Sequence, residues 1–194
     1  MTAKPMRGAA APSKIFSYPI NVTDVPDSGL DIRIAADAAT LRALAAADDL
    51  PSIASLEAEF HVAPKAGHRF NVSGEMRAKV TQICVVSLEP FDSEIVEPID
   101  VDFAPPMEAK AAAAAAAGIT LPDGAAAMVA QEREPPDPII DGKLDLGALA
   151  SEFLALGLDP YPRKPGVAFE PPGGQDEDKA DTPFSVLRKL KERS

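Results

Sequence analysis

The stretch that decides the fold is Arg69–Phe103, RFNVSGEMRAKVTQICVVSLEPFDSEIVEPIDVDF. In its first half Phe70, Val72, Met76, Ala78, Val80 and Cys84 share one parity, while Asn71, Ser73, Glu75, Arg77 and Lys79 share the other. Successive side chains of a strand point to opposite faces, so the alternation describes a strand with one face in a core and one in water. Gly74 interrupts the apolar parity, which marks a bulge or a close approach by neighbouring backbone. In the second half Phe91, Ile95, Ile99, Val101 and Phe103 form another apolar row, and Ser87–Pro90 (SLEP) carries the turn between the two. The reading is a long antiparallel hairpin. Pairing Val86 with Phe91 across the turn would set Arg77 opposite Asp100.

The same period recurs upstream. Ala54, Leu56, Ala58, Phe60 and Val62 alternate with Ser55, Glu57, Glu59 and His61, which predicts a half-buried strand over Ser52–Val62 that stops at the break APKAGH. Earlier still, IFSYPINVTDV and GLDIRIAA read as two strands around the turn signal PDSG, and DAATLRALAAADDL reads as a short helix with Leu41, Leu44 and Ala45 on its stripe. Downstream, Asp145 can cap a helix whose apolar face is Leu146, Leu149, Ala150, Phe153, Leu154 and Leu158. Residues 104–136 hold a run of alanines that favours helix but offers no large side chain to dock one, so an irregular or frayed insertion is expected.

These elements predict an α+β fold: an antiparallel β-meander or partly closed barrel with two packing helices. The expected organisation is a flexible N-terminus over 1–14, one domain over 15–165 with the insertion at 104–136, an acidic Pro/Gly linker over 166–182, and a short amphipathic basic helix over 183–194. Thr182 and Pro183 open that last helix, Phe184, Leu187 and Leu190 share a face, and Arg188, Lys189, Lys191 and Arg193 surround it.

Composition narrows the function. The chain has 194 residues and a formal charge of −11, so its surface repels phosphate and sequence-independent nucleic-acid binding is disfavoured. One cysteine cannot form an internal disulfide, and no basic segment followed by an apolar run opens the sequence, so a reducing cytoplasmic setting is expected. No apolar run approaches a membrane span.

No chemistry-bearing constellation stands out. A structural zinc site commonly needs four ligands, with cysteines in C-x-x-C spacing; Cys84 is followed by Ser87 at that position, and His61 and His68 form no local pair with it. Cys84 lies on the apolar parity and reads as a packed core thiol. Neither a phosphate-cradling glycine loop nor an acid-base pair in recognisable spacing is present, so no metal, cofactor or enzymatic activity is expected. What remains is charge. Asp92, Glu94, Asp100 and Asp102 share the outward parity of the second hairpin strand, and Val86–Glu108 holds seven acids and no base. Such a row either keeps a sheet edge from aggregating or docks a basic partner.

The order of parts resembles a known family. A long strand into TQICVVSLEPF, an acidic strand, a variable insertion, EPPDPIIDGKLDLGALASEFLALGLDPYPRKPG and a terminal TPFSVLRKLKE are together similar to the large ribosomal RNA subunit accumulation protein family typified by YceD. The resemblance runs from about Phe16 to the C-terminus. It implies a role in bacterial and plastid ribosome production, with no established catalysis, and it makes Cys84, Leu88, Glu89, Pro90 and Phe91 family-motif structural residues. Many members carry C-x-x-C where this chain has Cys84 and Ser87, so metal binding does not carry over.

The expected function is therefore a non-enzymatic biogenesis factor for the large ribosomal subunit. Its candidate partner-binding residues are Asp92, Glu94, Asp100 and Asp102 on the sheet, with Phe184, Leu187, Arg188, Lys189, Leu190 and Lys191 on the terminal helix. The expected partner is a large-subunit precursor, a ribosomal protein or another assembly factor, with any rRNA contact local or indirect and no membrane. The alternatives are a direct RNA-binding module, which needs a basic, aromatic-lined surface, or a hydrolase acting on precursor rRNA.

Overall fold

The computed structural model of the chain describes residues 15–116 and 135–168. Its sheet follows from the buried parity. Strand β4 (Arg69–Ile83) buries Phe70, Val72, Met76, Ala78 and Val80; β3 (Ser52–Lys65) adds Leu56, Ala58, Phe60 and Val62, and β5 (Pro90–Ala104) adds Ile95, Ile99 and Phe103. Each Val, Leu, Ile, Phe or Met among them contributes roughly 1.5–3 kcal/mol when fully buried, which fixes the face that must be covered.

Strand β2 (Leu30–Ala35), β3, β4 and β5 pair in sequence order as an antiparallel meander, and β6 (Asp137–Pro138) adds beside Phe103 and Ala104 in parallel. Among the described residues the ends of this sheet do not meet, so it is an open sheet with no closed barrel. Helix α1 (Ala38–Ala47) lies against β3, and α3 (Leu146–Gly157) against β4 and β5. Leu44 and Ala45 from one helix and Leu146, Leu149, Ala150 and Leu154 from the other join the core of the sheet's inner face. Strand β1 (Pro19–Asn21) stands outside the main sheet and pairs with β7 (Lys143–Asp145), the segment that leads into α3.

Asp145 organises that junction. Its carboxylate accepts hydrogen bonds from the amide of Ala148 at 3.1 Å, the amide of Tyr18 at 2.8 Å and the hydroxyl of Ser17 at 2.8 Å. One side chain thus caps α3, as its sequence position predicts, and ties the helix to the start of the chain. Gly147 completes the fit, because a Cβ there would lie 2.7 Å from the amide nitrogen of Tyr18.

Several expectations change. The strand expected over Ile15–Val25 is limited to β1, followed by a single 3₁₀ turn at Val22–Asp24. Strand β3 continues through most of the predicted break to Lys65, so the turn to β4 is only residues 66–68, with Gly67 and His68 at positive φ. Ala54 is exposed instead of buried: a bulge between Ile53 and Ser55 resets the parity, and Ile53 takes the core position. The hairpin register also differs. Ile83 pairs with Pro90, which puts Val96 opposite Arg77 and Ser73 opposite Asp100. The turn is longer than expected because residues 84–89 form a loop of their own.

The first part of the insertion is helical. Helix α2 (Pro106–Ala116) starts on proline, which suits a first helical turn, with Glu108 beside its positive end. Glu108 pairs with Arg69, and Ala109 is buried, so small residues dock this helix by close approach. The chain divides into two units, Met1–Lys164, with all the named elements, and Pro165–Ser194, of which residues 165–168 are described as a turn and two irregular residues.

Gly74 stands opposite Phe60, and a Cβ built on it would lie 1.9 Å from the carbonyl oxygen of Glu59. Gly74→Ala is expected to cost about 1–3 kcal/mol, because backbone must shift to make room; chemical denaturation of both proteins measures it. Asp145→Ala is expected to cost about 2–3 kcal/mol, from a lost cap and lost charge-assisted hydrogen bonds, with Asp145→Asn milder. Equal loss in the two Asp145 variants would show that the carboxylate charge has no part in the junction.

Candidate interaction surface

The outer face of the sheet carries the polar parity. Asp92, Glu94 and Asp100 are exposed there and Asp102 is half-buried, so the four acids share one face of β5, as the alternation predicts. They form two pairs. Val96 and Pro98 separate Asp92 and Glu94 from Asp100 and Asp102, and at about 3.3 Å per residue the two ends of the row lie roughly 33 Å apart.

Each pair has neighbours that position it. Asn71 Nδ2 donates to Asp100 at 2.7 Å and to Asp102 at 2.9 Å, and Lys65 Nζ lies 2.5 Å from Asp102. Thr81 Oγ1 donates to Asp92 at 2.8 Å, and Lys79 stands directly across from Glu94. Further along the sheet, Arg33 bridges Glu57 at 2.8 Å and Glu59 at 3.3 Å, and Arg77 bridges Glu75 at 2.6 Å. These pairs relieve the like-charge opposition of Glu59 and Glu75 in register. The cations that would favour phosphate thus sit among carboxylates.

His61 lies on this face with Nδ1 2.7 Å from Asp31, and Ser73 is its partner on the other side. The row Asp31, His61, Ser73 has the residue types of a hydrolytic triad but not its aim. Gly29 meets the opposite ring edge, where a Cβ would come 2.8 Å from Nε2, so the ring is turned toward β2 and away from Ser73.

The family-motif residues Cys84, Leu88 and Glu89 lie in the loop between β4 and β5, and Pro90 and Phe91 open β5. Cys84 is buried, and its amide donates to the carbonyl of Glu89 while its carbonyl accepts from the amide of Leu88, each at 2.9 Å. Leu88 has φ +60° and is 75% exposed, an uncommon conformation for a bulky residue. Pro90 begins β5, and Phe91 is half-buried opposite Gln82. The segment after α3 straps this loop: Val85 donates to the carbonyl of Pro162 at 2.9 Å, Lys164 Nζ reaches Glu89 at 2.9 Å, and Gln82 Nε2 donates to the carbonyl of Asp159 at 3.3 Å. Local composition gives no sign that DPYPRK closes over Cys84, because the hydrogen bonds that join them span about 80 residues.

The thiol is the centre of the strap. Cys84 Sγ accepts from the amides of Ser87 and Lys164, both at 3.4 Å. With the Ser87 hydroxyl as the leading cause, followed by these amides, its pKa is pulled down to about 6. One thiol ringed by a hydroxyl and amides does not fit a tetrahedral zinc site, and among the described residues no cluster of His, Cys, Asp and Glu could hold a metal. The candidate residues Phe184, Leu187, Arg188, Lys189, Leu190 and Lys191 lie outside the described residues. Among the described helices none is long and apolar enough to cross a membrane.

A family model described as large ribosomal RNA subunit accumulation protein YceD matches residues 72–191, more than half of the chain. No curated protein and no solved structure matches at a significant level.

Ultraviolet titration of the thiolate should give a midpoint near the value of about 6, and Ser87→Ala should move it upward. A folded-state pKa below the unfolded one adds stability as pH rises from about 6 toward 9.0, and that contribution is lost as pH falls through the folded value. Cys84→Ala should flatten this part of the pH–stability curve. A midpoint in the ordinary thiol range would show that the donors do not act on the sulfur.

Proposed function

The chain belongs to the large ribosomal RNA subunit accumulation protein YceD family, and from that membership we propose that it supports accumulation of large-subunit ribosomal RNA as a non-enzymatic assembly factor in the cytoplasm. The observation that carries the reading is the extent of the match, which takes in most of β4 and all of β5, α2 and α3. The partner is a basic ribosomal protein or another assembly factor on the large-subunit precursor, met through the acidic outer row of β5 and the basic terminal segment.

Two features support a protein partner over bare RNA. The net charge of −11 opposes phosphate, and Arg33, Lys65, Arg69 and Arg77 are each held by a carboxylate. The acidic row raises the encounter rate with a cationic surface and gives an ionic-strength dependence to the association.

Deleting the gene should lower the ratio of large-subunit to small-subunit rRNA, most clearly under slow growth in the cold, and the tagged protein should co-sediment with large-subunit precursors. An unchanged ratio, with the protein at the top of the gradient, overturns the proposal.

A further inference from the structure

Where the end of β5 passes the flank of α3, a cavity of about 270 Å³ opens at the sheet edge. Its floor is apolar, made by Val101, Leu149, Phe153 and Leu156. The last three fall at i, i+4 and i+7 on α3 and so share one flank of the helix. Leu156 is 71% exposed, a large apolar side chain at the rim of an apolar floor.

The walls have one sign of charge. Asp100, Asp102 and Asp137 line the cavity on the strand side and Glu152 on the helix side; Lys65 holds Asp102 at 2.5 Å, and among the described lining residues there is no Lys, Arg or His. Asn71 holds Asp100 by its Oδ1, so that carboxylate is fixed before any partner arrives. A second cavity, of about 430 Å³, continues along α3, shares Asp137, Leu149 and Glu152 with the first and has Lys143 beside the acids Asp141 and Asp145 in its lining. Carboxylates around a low-dielectric floor focus a negative potential into the groove.

We propose that this groove binds a cationic protein segment, one with a large apolar side chain flanked by Lys or Arg residues. The inference rests on the assembly-factor reading above and specifies the partner's chemistry. The apolar floor takes the anchor, since a desolvated pocket is where interfaces concentrate their binding energy. Asp100 and Glu152 take the flanking cations and reject phosphate, which sets the groove against nucleic acid. The site combines residues far apart in sequence, and Glu152, Phe153 and Leu156 take no part in the acidic row of β5.

The test uses the full chain and two fluorescein-labelled peptides of equal charge, one with Leu and Phe among Lys and Arg, the other with Ser at both apolar positions. The first should bind about tenfold more tightly than the second, a difference of about 1.4 kcal/mol. Leu156→Ser and Glu152→Lys should each weaken it about five- to tenfold. Both residues are exposed, so the variants keep the fold, and thermal unfolding checks that they do. Asp27→Lys changes the charge equally on an exposed residue outside the groove and should leave binding unchanged. Equal affinity for the two peptides, or equal loss in Asp27→Lys and Glu152→Lys, means diffuse charge attraction and overturns the proposal. A dimer in sedimentation that Leu156→Ser dissociates makes the groove a self-interface and overturns it too. A normal rRNA ratio in the deletion strain fails the assembly-factor reading; a lowered ratio with peptides that bind alike fails the groove alone.

Discussion

Everything in this fold depends on the parity of β4. Val72, Met76 and Val80 are almost wholly buried, and the strand between β3 and β5 pairs along nearly its whole length on both sides. A slip by one residue would turn those side chains to water and bring Arg77 and Lys79 into the core. The central strand therefore dictates which face the helices cover and which face carries the charges. The acidic row and the groove are consequences of that choice, because β5 takes its own parity from β4.

That parity was legible in the sequence, and so were the face of α3 and its cap. What escaped notice has physical causes. The bulge at Ala54 leaves no mark in the pattern because alanine suits either face, and only the burial of Ile53 shows the reset. The hairpin register differs from the short-turn expectation because the loop is held from residues 159–164 by hydrogen bonds that local pattern cannot contain. The helix over Pro106–Ala116 needs no large side chain to dock, because Ala109 docks by being small.

The interaction surface divides in the same way. Asp92, Glu94, Asp100 and Asp102 are legible as one row, with its gap at Val96 and Pro98, from alternation alone, but the partners Asn71, Lys65 and Thr81 are not. The groove has no local signature, because Glu152, Leu156 and Asp100 line one cavity only after α3 has been laid against the sheet. A polar residue on the outer side of a helix looks like ordinary solvation until the neighbouring strand end is known.

The pairing of β1 with β7 sets an order on synthesis. Strands β2 to β5 are neighbours in the chain and can zip together as each leaves the ribosome, but β1 finds no partner until Lys143–Asp145 has been made. Ser17 and Tyr18 likewise wait for the carboxylate of Asp145, and the Cys84 loop waits for Lys164. The nascent chain thus carries a paired meander with both its seams open, and the last stretch of the described polypeptide closes them together.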